Sequence, residues 1–258
     1  MRVALGIEYD GFDFYGWQSQ PGMKTIQGTL QDALSKVANE PIEIICAGRT
    51  DAGVHATGQV IHFDTRAKRH LDAWIFGTNV HLPPSIGVRW SRQVDYSFHA
   101  RFKAISRRYR YVIYNHPVRP AILSSRCSWH YYPLDVDLMR TAASFLIGEQ
   151  DFSSFRSSKC NSNSPMRNIT DFTIERRGDF VIFEIEANAF LHHMVRNIAG
   201  TLMKIGAGFR DTEWMQEVLH AKSRKVAAET APAGGLYLVR VTYPEPYIFP
   251  LSDQLFLI

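Results

Sequence analysis

No stretch of this 258-residue chain stays apolar long enough to span a bilayer, which excludes a helical membrane protein. A secretory core is missing as well, because Arg2, Glu8 and Asp10 interrupt the short apolar run Val3-Ala4-Leu5-Gly6-Ile7. The expectation is a cytoplasmic protein without membrane contact. Cysteine is scarce: Cys46, Cys127 and Cys160 are odd in number and far apart, so they form neither a disulfide framework nor a CxxC metal pair. The adjacent His192 and His193 lack HxxxH spacing, and on a helix neighbouring side chains diverge by ~100°. Capping, packing or phosphate contact is the expected use of that pair. Low-complexity stretches and acidic tails are also absent, and the chain is long enough to bury a sufficient core without staples.

The formal net charge of +4 is only mildly basic, so distribution carries more information than the total. Cations cluster at Arg66-Lys68-Arg69, at Arg101-Lys103-Arg107-Arg108-Arg110, at Arg156-Lys159-Arg167 and at Lys222-Arg224-Lys225. Tyr109 and Tyr111 interleave the second cluster. Basic side chains among aromatics suit a polyanion whose bases can stack.

Hydrophobic periodicity predicts a strand over residues 2–9, an aromatic loop holding Phe12, Phe14, Tyr15 and Trp17, and a helix capped by Thr25. A short strand at 42–47, a strand through 60–63, a helix at 71–80 and a strand at 86–92 complete a βαββαβ order, the split βαβ pattern. The second half reads as a strand at 105–114, then a helix capped by Asp137 that buries Leu138, Ala142, Phe145 and Leu146. A hairpin of 169–175 and 180–187, a helix at 191–205, a further helix and a strand at 236–241 complete the order. The expected architecture is α+β: two ferredoxin-like halves, residues 1–104 and 105–258, with antiparallel sheets and a central cleft. Residues 156–165, rich in Ser and Asn, are the expected mobile loop.

The chemistry concentrates in Ala47-Gly48-Arg49-Thr50-Asp51-Ala52-Gly53-Val54-His55, a loop between two strands that can present one carboxylate into a cleft. Spacing alone permits a plainer reading. Asp51 can bond backbone amides in a tight turn for which Gly53 supplies positive φ.

The segment from Gly48 to His55, together with Gly58-Gln59-Val60, resembles the catalytic signature of the tRNA pseudouridine synthase A family. The resemblance continues through Glu8-Tyr9-Asp10-Gly11, Tyr15-Gly16-Trp17-Gln18, Phe98-His99-Ala100-Arg101-Phe102 and Arg107-Arg108-Tyr109-Arg110-Tyr111. Phe190-Leu191-His192-His193-Met194-Val195-Arg196-Asn197 and Gly235-Leu236-Tyr237-Leu238 complete it, so it spans almost the whole chain. The departures, such as the Phe12-Asp13-Phe14 insert, touch substrate contacts rather than chemistry.

The resemblance implies isomerisation of uridine to pseudouridine at positions 38, 39 and 40 of the tRNA anticodon arm, by a homodimer using no metal or cofactor. It implies Asp51 as the catalytic carboxylate and Arg196 as the nearby cation that keeps it ionised where burial would neutralise it. Arg196 lies off the apolar stripe of its predicted helix, which leaves it free to face a cleft. Tyr109 would stack on the target uracil and Arg49 would fill the space that the flipped base vacates, while Leu236 would form an apolar wall. The rival uses are core packing for Tyr109 and Leu236, a local salt bridge for Arg49 and an exposed helix charge for Arg196. The residues also allow two rival functions. A non-catalytic RNA-binding module lacks the expected RNP aromatic pattern, and a hydrolase lacks metal carboxylates, a P-loop or a second carboxylate beside Asp51.

Overall fold

Val3, Leu5 and Ile7 alternate along a strand, and in the computed structural model, which describes residues 1–160 and 162–250, they are buried in β1 (Arg2–Tyr9). The chain continues through α1 (Ile26–Ala38), β2 (Ile45–Cys46), β3 (His55–Asp64), α2 (Leu71–His81), β4 (Ile86–Val94), β5 (Ser106–Asn115) and β6 (Ser128–His130). Then come α3 (Val136–Ser144), β7 (Gly148–Asp151), β8 (Met166–Arg177), β9 (Phe180–Ala187), α4 (Met194–Gly206), α5 (Trp214–Ala221) and β10 (Leu236–Thr242). Among the described residues no helix is long and apolar enough to cross a membrane.

The chain forms two compact units. One joins residues 1–107 to the chain from Tyr237 onward, and the other comprises residues 108–236. The expected division at residue 104 therefore needs correcting at both ends. The last strand does not stay with the second half, because Tyr237 and Leu238 pair in parallel with His55 and Ala56 of β3.

In the first unit β1 lies antiparallel between β3 and β4, and β2 joins the far edge of β3 at Ile61 and His62. The resulting order β4-β1-β3-β2 is that of a split βαβ fold. β2 keeps only two of its six expected residues and shares the edge of β3 with β10. Thr25 caps α1 as its sequence position predicts, its hydroxyl accepting the Gly28 N–H. Ile26, Leu30, Ala33 and Leu34 form the buried stripe of α1. Trp74 anchors α2, meeting Phe63 of β3 edge to face at 5.1 Å. Burying side chains of this size stabilises by ~1.5–3 kcal/mol each.

His62 of β3 is buried neutral, its Nδ1 accepting the Ala100 N–H at 3.1 Å, and burial with help from Arg2 lowers its pKa to about 4. The unfolded chain takes up that proton near pH 6.5, before the native state does, so stability is intact above that pH and is lost as pH falls toward 4. The urea midpoint is expected to fall between pH 7 and 5, and by less in His62→Asn, which keeps an acceptor but cannot titrate. An identical fall in both proteins would refute this assignment.

In the second unit the strands run β5-β9-β8-β7, with β6 parallel to β5 at its other side. Asp135, not the expected Asp137, caps α3, accepting the N–H groups of Asp137 and Leu138. The helix accordingly buries Met139, Ala142 and Ala143, with Leu146 just beyond its end, while Leu138 is exposed. α4 starts three residues later than its periodicity predicts, because His193 precedes it at φ 64°. β6 and β7 escape sequence reading. β6 hides in a connection rich in Pro and Ser, and Gly-Glu-Gln-Asp of β7 has no β-branched or aromatic residue. Cys46 and Cys127 are buried, and burial pushes their thiols up to about 12 and about 11.

Candidate active site

The loop that carries Asp51 leaves β2 at Cys46 and enters β3 at His55. Its tip is closed by backbone: Val54 N–H donates to the Asp51 carbonyl at 3.2 Å, and Gly53 sits at φ 77°, which only glycine adopts without strain. The positive φ expected of Gly53 is thus present. Asp51 itself is half-buried. The aromatic loop after β1 supports this tip, since Trp17 N–H donates to the Thr50 carbonyl at 3.0 Å. Gly16, at φ 81°, brings its backbone so close that a Cβ there would lie 2.9 Å from the Thr50 carbonyl oxygen and 3.1 Å from the Asp51 carbonyl carbon.

Side chains whose role the sequence does not disclose hold the base of the loop. Gln59 of β3 is 0% exposed, and its amide donates to the Gly48 carbonyl at 2.6 Å while accepting the Gly48 N–H at 3.3 Å. The same amide nitrogen reaches the Tyr9 hydroxyl at 3.4 Å, and that hydroxyl shares a 2.8 Å hydrogen bond with Thr50 Oγ1. Arg107 donates to the carbonyls of Ala47, Arg101 and Ala104. His55, the first residue of β3, stacks on Tyr237 at 4.7 Å. Arg49 is exposed, and among the described residues no hydrogen bond or ion pair engages its guanidinium.

The second unit carries Tyr109, Arg196 and Leu236. Tyr109 is 8% exposed and meets Phe190 edge to face at 5.0 Å. Tyr111, on the same face of β5, is fully buried: its hydroxyl donates to the Pro232 carbonyl and its ring stacks on Phe183. Arg196 is half-buried on α4 and not a free surface charge. Its Nε donates to the Ala231 carbonyl at 2.8 Å, and its own carbonyl accepts the Ala231 N–H at 3.1 Å. The next residue, Asn197, is 0% exposed and ties three segments together. Its amide donates to Phe155 O at 2.7 Å and its oxygen accepts from Thr230 and Arg224. Leu236 is buried at the start of β10. His192 and His193 lie before α4, not on it, so the divergence expected of helical neighbours does not apply, and their rings sit 4.0 Å apart.

Much of the basic character is spent internally. Arg108 pairs with Asp171, Glu184 and Glu186, and Arg110 pairs with Glu184. Burial alone would raise the Glu184 carboxyl, but Arg110 and Arg108 override it and hold it below the ordinary range. Arg156 donates to the carbonyls of Cys160 and Ser162, and Arg167 to those of Ser164 and Met166. The loop expected to be mobile is bridged at its two ends by these arginines, and its Asn161 lies outside the described residues. Of the second cluster, Arg101 and Lys103 remain exposed.

The chain belongs to the tRNA pseudouridine synthase family, whose profile matches residues 6–103 and 142–244. Asp51, Arg49, Arg196 and Leu236 fall inside the matched segments, and Tyr109 lies between them. The relatives it resembles include "tRNA pseudouridine synthase A" of Tolumonas auensis, 57% identical over 250 residues, 97% of this chain and 96% of that one. The protein of the same name from Photorhabdus laumondii is 56% identical over 252 residues, 98% of this chain and 96% of its own length. Among solved structures, the archaeal box H/ACA sRNP Nop10-Cbf5 complex contains a chain similar at 13% identity and TM-score 0.38. That likeness covers 92% of this chain and only 47% of the other, and is too distant to bear on the site. The chain is therefore a tRNA pseudouridine synthase, an isomerase, and the reading as a non-catalytic RNA-binding module is not favoured.

Proposed function

We propose that this enzyme isomerises uridine to pseudouridine at positions 38, 39 and 40 of the tRNA anticodon arm, in the cytoplasm and as a homodimer. The observation that supports it best is the anchored setting of Asp51 within a segment that the tRNA pseudouridine synthase profile matches. The reaction breaks the bond from N1 to C1′, turns the uracil, joins C5 to C1′ and moves the C5 proton away as N1 gains one. No electrons are gained or lost overall. Asp51 either attacks C1′, takes the C2′ proton to give a glycal, or adds to C6 of the base, and each route uses the ionised carboxylate.

Arg196 supplies a positive charge for substrate binding, and the Ala231 clamp on its Nε restricts the directions in which its guanidinium can point. Tyr109 presents its ring to the flipped uracil, with Phe190 bracing it edge-on. The exposed Arg49 contacts RNA where the base has left the stack, and Leu236 lines the pocket.

The test is tritium release from tRNA labelled at uridine C5, with EDTA present. Release from a tRNA with uridine only at 38, 39 or 40, and none when those three positions carry cytidine, is the expected result. Release independent of those positions would sink the anticodon-arm assignment.

A further inference from the structure

Asp51 is the fifth residue of a loop in which Ala47, Gly48 and Thr50 are gripped from outside it. Three side chains supply the grip, each from a different strand: Tyr9 from β1, Gln59 from β3 and Arg107 from β5. Gln59 is the most constrained. A glutamine offers one acceptor and two N–H donors, and here all three sites are used, two on Gly48 and one on the Tyr9 hydroxyl. No water need enter, consistent with its complete burial. Tyr9 passes the constraint to Thr50, the residue before Asp51, and Arg107 fixes Ala47 before Gly48. The backbone on the N-terminal side of Asp51 is thus tied at residues 47, 48 and 50, and the turn to Val54 ties the other side.

Such a network is more than packing requires. An apolar residue would fill the place of Gln59 without burying an amide, and a buried amide stabilises only when every one of its partners is present. What the amide adds is direction: it sets where the Gly48 peptide lies and hence the line along which the loop leaves the sheet. A carboxylate that must reach one carbon of a flipped nucleotide is sensitive to such a setting, since ~1 Å of misplacement costs about 10²-fold in rate.

We propose that Gln59, together with Tyr9 and Arg107, forms a buried clamp that aims the Asp51 loop, which makes these three residues positioning residues for the isomerisation proposed above. The inference rests on that reading of Asp51. It also reassigns Arg107, which the sequence places among RNA-binding cations, to backbone support.

The experiment compares full-length wild type with Gln59→Met, Tyr9→Phe and Arg107→Met, measuring tritium release, tRNA affinity against salt, and amide hydrogen exchange over residues 47–54. Gln59→Met is expected to lower kcat by about 10²-fold with KM for tRNA within about threefold, and to speed exchange in the loop while the rest of β1 and β3 stays protected. Tyr9→Phe, which keeps the ring beside Trp17 and removes only the hydroxyl, is the milder variant should Gln59→Met fold poorly, and should lose about tenfold in kcat on the same grounds. Arg107→Met should lose kcat without changing the salt dependence of binding, whereas an RNA phosphate ligand would flatten that slope by ~0.7–0.9. Unchanged loop exchange, a kcat within about threefold of wild type in both Gln59→Met and Tyr9→Phe, or a raised KM at constant kcat would each overturn the clamp. If wild type itself released no tritium, the isomerase reading would fall and loop exchange alone would decide on the clamp.

Discussion

Asp51→Asn is expected to bind tRNA within about twofold of wild type while tritium release drops by at least ~10³-fold. The reasons are both chemical and local. Asn matches the carboxylate in size but neither attacks carbon nor accepts a proton at neutral pH. The bonds that shape the loop tip, from Val54 N–H to the Asp51 carbonyl and from Trp17 N–H to the Thr50 carbonyl, are backbone bonds that the substitution leaves alone. These tip bonds therefore do not depend on the carboxylate. Loss of binding together with turnover would show that Asp51 mainly supports the loop, the plainer use that its turn geometry allows.

The second large effect is expected at Asn197→Leu, a change that nearly conserves volume. Removing this amide deprives Phe155 O of a donor and the Thr230 hydroxyl and Arg224 guanidinium of an acceptor, all inside the protein. Unsatisfied buried groups cost ~1–3 kcal/mol each and do not add simply, so a loss of about 3 kcal/mol in urea unfolding is expected. The consequence extends to function because Thr230 adjoins Ala231, which holds Arg196 through two hydrogen bonds. Turnover should fall at temperatures where the variant is still folded, and hydrogen exchange should rise first around residues 228–231. A destabilisation below about 1 kcal/mol would mean that the three segments find other partners.

The split βαβ order of the first half is legible because its determinants are local. Thr25 caps α1 from the adjoining position, the Ile26-Leu30-Ala33-Leu34 stripe has one period, and β1 is a short run buried from Val3 to Ile7. The Asp51 segment is legible as a motif, since a long string of residue types within one loop is specific in itself. Features that escape the eye depend on distant partners. Arg108 and Arg110 look like RNA ligands until Glu184 and Glu186, more than seventy residues away, neutralise them across neighbouring strands. Gln59 and Asn197 look like ordinary polar residues because burial is invisible until the chain has folded. The periodicity places the start of α4 too early because Leu191 continues the apolar period while the positive φ of His193 interrupts the backbone. At α3 two aspartates stand two residues apart, and only the hydrogen bonds of Asp135 show which one is the cap.

The pairing of Tyr237 and Leu238 with His55 and Ala56 has a temporal consequence. A ribosome delivers β3 some 180 residues before the strand that completes its edge, and the whole second unit is synthesised in between. At ~5–20 residues per second that interval lasts roughly 9 to 36 seconds. The Asp51 loop gains its clamp once Arg107 has been made, but through the whole interval His55 has no Tyr237 ring to rest on. A nascent chain thus holds the motif through the synthesis of the whole second unit before β10 completes the platform beside it.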